Sequence, residues 1–111
     1  MIEMGDLPRR IERVCSRASR ASADERLLTE MEDLLAEGYL AALTGEARSQ
    51  RLGARLEHLL ATLEEPDSAL EARRIALQKR SLDQRVDDLR SRLAVMREHF
   101  ARLGGGNPAI R

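Results

Sequence analysis

The sequence predicts an all-α protein, a short N-terminal helix followed by a long antiparallel helical hairpin of coiled-coil type that dimerises into a helical bundle. Three observations predict it. Charged residues make up 34% of the chain and aromatic residues only 2%, a composition of long helices rather than of a thick globular core. Strand formers are scarce, with four Ile, three Val and no Trp, so a sheet has little to be built from. Apolar residues recur at alternating three- and four-residue spacing along two stretches separated by a single proline, the periodicity of paired helices.

The first helix is expected over about Leu7 to Ser19. Asp6 can cap it, and Pro8 is tolerated in a first turn, where its missing N–H is not needed. Leu7, Ile11, Val14, Cys15 and Ala18 share one face, and Arg9, Arg10, Arg13, Arg17 and Arg20 occupy much of the rest. The cap and turn residues of Ser19–Asp24 end it. Three turns of apolar face are marginal for an isolated helix in water, so residues 1–23 read as an arm that contacts a partner more than it stabilises the fold.

The second helix is expected from Asp24 to about Glu64. Its seam is Leu28, Met31, Leu35, Gly38, Ala42, Gly45, Ser49, Leu52, Leu56, Leu59 and Leu63, apolar at both ends and small in the middle. Glycine costs about 1 kcal/mol against alanine inside a helix. Gly38, Gly45 and Gly53 therefore point to close helix approach or to a notch for a ligand or a partner side chain. Glu65-Pro66-Asp67 breaks the helix, because proline disfavours helical backbone in the residue before it. Ser68 and Glu71 then have capping-box spacing.

The third helix is expected to run to about Leu103, with the seam Ala72, Ile75, Lys79, Leu82, Val86, Leu89, Leu93, Met96, Phe100 and Leu103. Gly104-Gly105-Gly106-Asn107-Pro108 stops it. So short a turn lays the long helices antiparallel, pairing positions whose numbers add to about 133. The expected organisation is an arm over 1–23, the hairpin over 24–104 and a flexible tail over 105–111.

The formal net charge is zero, but it is unevenly placed. Residues 1–23 carry five Arg against three acids, residues 24–65 ten acids against four Arg, and residues 66–111 ten bases against six acids. No global basic field favours nucleic acid. The acidic middle and the basic C-terminal third are expected to pair, with Glu30–Glu37 level with Arg97 and Arg102. A hairpin also leaves Leu27 and Leu34 on one flank and Tyr39 and Leu43 on the other. The first helix, a second copy or another protein must cover them, and a homodimer is the favoured expectation.

Cys15 is the only cysteine, so no intrachain disulfide is possible. No apolar run reaches the roughly 18 residues of a membrane span, and MIEMGDLPRR lacks an apolar signal core, so a cytoplasmic location is expected. His58 and His99 stand alone, with no metal-ligand spacing. Cys15 lies on an apolar face, and the carboxylates occupy solvated helical faces. No catalytic residues, metal or cofactor are expected, and the protein reads as a binding module, not an enzyme.

One stripe carries recognition chemistry. Arg80, Gln84 and Asp88 are spaced by four on the third helix, away from its seam, with Arg73 and other bases nearby. Arginine can present two donors to guanine O6 and N7, and a carboxylate can accept the guanine N1 and N2 protons. Arg80-x3-Gln84-x3-Asp88 resembles the second half of the E-x3-S-x2-R-x3-Q-x3-D signature of the RsiG-type anti-sigma factors of actinobacteria. Arg73 and Leu77 stand where that signature has Glu and Ser, and only one copy is present. The resemblance implies a cytoplasmic regulator that binds cyclic-di-GMP through Arg80, Gln84 and Asp88 and then sequesters a sigma factor; Arg73 adds positive charge for the phosphates, and the single copy of the motif requires a homodimer for a paired site. Arg9, Arg10, Arg13, Arg17, Leu27 and Leu34 are the expected protein-partner contacts. The other reading is a structural dimerisation or chaperone-like helical module with no small-molecule ligand.

Overall fold

The computed structural model describes residues 4–20 and 24–104. Among them are three helices and no strand: α1 (Leu7–Arg20), α2 (Glu25–Leu60) and α3 (Pro66–Arg102). The expected tail over 105–111 and residues 21–23 lie outside the described residues.

The helix starts follow local chemistry. In α1 the amide of Arg10 donates to the carbonyl of Asp6 at 3.0 Å. In α2 the Asp24 carboxylate accepts from the Arg26 amide at 3.1 Å, an N-cap that satisfies one of the orphan donors of a first turn. The hairpin turn departs from expectation at both edges. α2 ends at Leu60 rather than near Glu64, because short i to i+3 bonds take over: the Thr62 amide donates to Leu59 O at 3.0 Å and its hydroxyl to the same carbonyl at 3.1 Å. Leu63 is 48% exposed, so no packing holds a further turn. α3 begins at Pro66, where proline suits the first helical position. Ser68 therefore lies inside the helix, its hydroxyl 3.1 Å from that of Thr62. The expected capping box does not form, and Glu71 pairs with Arg55 at 3.2 Å instead.

The chain divides into two compact units, Met1–Ala42 with Asp88–Arg111, and Leu43–Asp87. The first has a three-helix core. Leu7, Ile11, Val14 and Ala18 of α1 join Leu27, Met31, Leu34, Ala41 and Ala42 of α2 and Leu89, Leu93, Met96 and Phe100 of α3. Burying each large aliphatic side chain of α1 is worth about 1.5–3 kcal/mol, which is how a helix too short to persist alone is held. Three expectations change here. α1 is part of the core rather than a separable arm. Leu27 and Leu34 are 2% and 3% exposed, so they are covered within the chain. Glu30 and Glu37 are taken by Arg17 and Arg10 of α1, at 2.7 and 3.0 Å, and not by Arg97 and Arg102, because α1 occupies that flank.

The second unit is a two-helix pairing. Ala72, Ile75, Leu82 and Val86 of α3 are buried, as are Gly45 and Ser49 of α2. Leu52, Leu56 and Leu59 are only half-buried. Leu43, Leu60, Leu70 and Leu77 are exposed, Leu70 by 70%.

In each unit α2 and α3 pair in antiparallel order. A methyl group at Gly38 would overlap Leu93 in the first. In the second, Ser49 bonds to Asp83 and Gly53 faces Lys79. The register is one to two residues from that expected, because it is set by which side chains fill the small-residue positions and not by symmetry about the turn. At Gly38 and Ser49 the stripe is close approach: Leu93 and Asp83 of the same chain occupy the places where a notch was conceivable.

Candidate functional site

The seam of α3 buries Leu82, Val86 and Leu89, which turns the positions two residues away outward. Arg80 and Gln84 are exposed in the second unit, as is Arg73, and none of the three makes an ion pair among the described residues. Asp88 is exposed in the first unit. It is engaged: Arg92 Nε donates to its Oδ2 at 2.9 Å, one turn further along α3. Arg92 Nη1 also lies 3.4 Å from Glu12 Oε2 of α1. The guanidinium is held above its ordinary pKa, first by the hydrogen bond to Asp88. Periodicity placed Asp88 on the outer face; its tie to α1 through Arg92 has no signature in the sequence, because Glu12 is remote along the chain.

The arginines of α1 split into two kinds. Arg10 donates to both oxygens of Glu37 at 3.0 Å, and Arg17 donates to Glu30 at 2.7 Å. Fork-to-fork geometry of the first type is directional, yet both pairs are partly solvated and so contribute little to stability. Arg9 and Arg13 are exposed and make no ion pair among the described residues. All four line an open groove of about 830 Å³ between α1 and α2, whose other wall includes Glu30 and Asp33.

A polar cluster lies inside the second unit. Ser49, 6% exposed, donates to Asp83, and Lys79 Nζ lies 2.9 Å from the other oxygen of that carboxylate. These contacts, the serine's first, hold the Asp83 carboxyl below its usual range. Lys79 occupies a seam position because Gly53 leaves room for its stem: a Cβ there would stand 3.2 Å from Lys79 Cε. The sequence signal was a lysine at an apolar register position facing a serine and a glycine.

Cys15 is half-buried, and desolvation followed by the charge of Glu12 raises its thiol pKa, which disfavours the thiolate. His58 is exposed, and His99 Nδ1 lies 2.6 Å from Arg102 Nη2. Among the described residues no three His, Cys, Asp or Glu side chains are grouped to hold a metal ion. Among the same described residues no helix is long and apolar enough to cross a membrane.

No family model, no curated protein and no solved structure matches the chain.

Proposed function

We propose that this chain is a regulatory protein-binding module whose third helix takes cyclic-di-GMP and which, so loaded, sequesters a sigma factor. The observation that carries the reading is the exposure of Arg80, Gln84 and Asp88, each left out of the core at four-residue intervals along α3. Arg80 supplies two donors for guanine O6 and N7, Asp88 accepts the N1 and N2 protons, and Gln84 can both donate and accept. Arg73 adds positive charge for phosphate. One copy of the signature per chain makes the binding species a homodimer. The protein partner is met by the basic face of α1, through Arg9 and Arg13 and the solvated sides of Arg10 and Arg17.

The test is titration calorimetry of the purified protein with cyclic-di-GMP and with cyclic-di-AMP, alongside light scattering. Cyclic-di-GMP should bind and cyclic-di-AMP should not, since adenine replaces the O6 acceptor with an N6 donor. The mass should be twice that of one chain. If millimolar cyclic-di-GMP gives neither heat nor a melting shift, with and without a sigma factor present, the ligand reading fails.

The second reading is a dimerisation or chaperone-like module without a ligand. Leu70 and Leu77, 70% and 55% exposed and two turns apart on α3, favour it. A dimer that forms equally with and without cyclic-di-GMP, and takes up none, would select it.

A further inference from the structure

Asp88 is joined to the first helix by a chain of two ionic contacts. Its Oδ2 accepts from Arg92 Nε at 2.9 Å, and Nη1 of the same guanidinium is 3.4 Å from Glu12 Oε2. The two carboxylates are exposed and the arginine between them is half-buried. All three line a groove of about 350 Å³ between α1 and α3, with Ile11, Cys15 and Val95. A guanidinium presents five donors in a rigid plane and can hold two carboxylates at once; an ammonium on a flexible stem is a point charge without that fork.

We infer that Arg92 is the internal competitor for Asp88 and that, through Glu12, it links the occupancy of that carboxylate to the seating of α1. The inference rests on Asp88 being a ligand residue, as read above. A guanine edge that takes the oxygens of Asp88 competes with Arg92 Nε for Oδ2. Arg92 then turns its donors to Glu12 and ties α1 more firmly to α3. The coupling is reciprocal, as any binding linkage must be: what draws Arg92 towards Glu12 releases Asp88 for the ligand. Because α1 carries the basic face offered to the protein partner, the ligand acts on the partner surface by steadying the helix that bears it.

Two arms test this on the full chain. In the ligand arm, Glu12→Gln, which touches no ligand, should weaken cyclic-di-GMP binding about two- to fivefold, the size of one exposed charge pair. In an Arg92→Lys background, where one charge can no longer bridge, Glu12→Gln should change nothing. Unchanged affinity in Glu12→Gln, or an equal loss in the Arg92→Lys background, overturns the link. In the ligand-free arm, Asp88→Asn releases Arg92 to Glu12 and should slow amide exchange in α1, and this slowing should vanish when Glu12→Gln is added. Unaltered α1 exchange in Asp88→Asn overturns the link whether or not a ligand exists. A wild-type chain that binds no cyclic-di-GMP removes the ligand reading alone, and the exchange arm then decides the coupling by itself.

Discussion

Leu93 fills the space above Gly38. A Cβ built on that glycine would overlap the leucine side chain, which is 0% exposed and has nowhere to retreat. Overpacking a close-packed core costs about 1–3 kcal/mol, more than the roughly 1 kcal/mol that alanine gains over glycine in a helix. Gly38→Ala should therefore destabilise in chemical denaturation. Gly53→Ala should be neutral or stabilising, because there the neighbour is the flexible stem of Lys79. Equal losses for the two would show that helix propensity or a shared defect, not the Leu93 contact, governs both.

Leu89 is a second place where register can be read energetically. It is 0% exposed in the three-helix core, so Leu89→Ala should cost about 2–5 kcal/mol. A loss under about 0.5 kcal/mol, the size of a surface effect, would place it outside the core.

The attachment of α1 should depend on its apolar face far more than on its arginines. Ile11 is 1% exposed, and Ile11→Ala should cost about 2–5 kcal/mol. Arg10→Ala should cost about 1 kcal/mol or less, since its pair with Glu37 is solvated. Thermal melts followed by circular dichroism compare the two directly. The reverse order would make α1 an ionically held arm.

The second unit should be acid-sensitive through Asp83. Ser49 and Lys79 hold its carboxyl below the ordinary range, so the folded pKa lies under the unfolded one. The stabilisation is present above the unfolded carboxyl pKa, near 3.9, and is lost as pH falls through the folded value. Asp83→Asn should flatten that limb of the stability-against-pH curve. An unchanged acid limb would assign it to other carboxylates.

Arg80→Ala should weaken cyclic-di-GMP binding by about 1–3 kcal/mol, the usual worth of a bidentate arginine contact to a base. Asp88→Asn should weaken it too, because an amide cannot accept two protons through both of its polar atoms. Calorimetry at two salt concentrations reads both, and the wild-type complex should weaken as salt rises. Full affinity in both variants would move the ligand elsewhere or remove it.

The helices and the inner face of α3 were legible because periodicity is a local property. From Ala72 to Leu103 every expected seam position is buried or half-buried, and even Lys79 found its place once Ser49, Gly53 and Asp83 were set around it. The outward face of Arg80, Gln84 and Asp88 follows from the same periodicity. What each of them recognises does not, since that depends on groups no single helix supplies.

The sequence alone determined the number and kind of elements, the break at Pro66 and the antiparallel order of α2 and α3, because caps, proline and heptad spacing act within a few residues of chain. Only the tertiary structure decided what α1 does. Its apolar face joins the Leu27, Leu34, Leu93 and Met96 core, its arginines take Glu30 and Glu37, and its Glu12 reaches Arg92. Several partners compete for the same exposed flank and the same carboxylates, and spacing along the chain carries no information on which of them is nearest. That is settled by the burial of apolar surface, which seats α1 and leaves its charges to pair with whatever lies within reach.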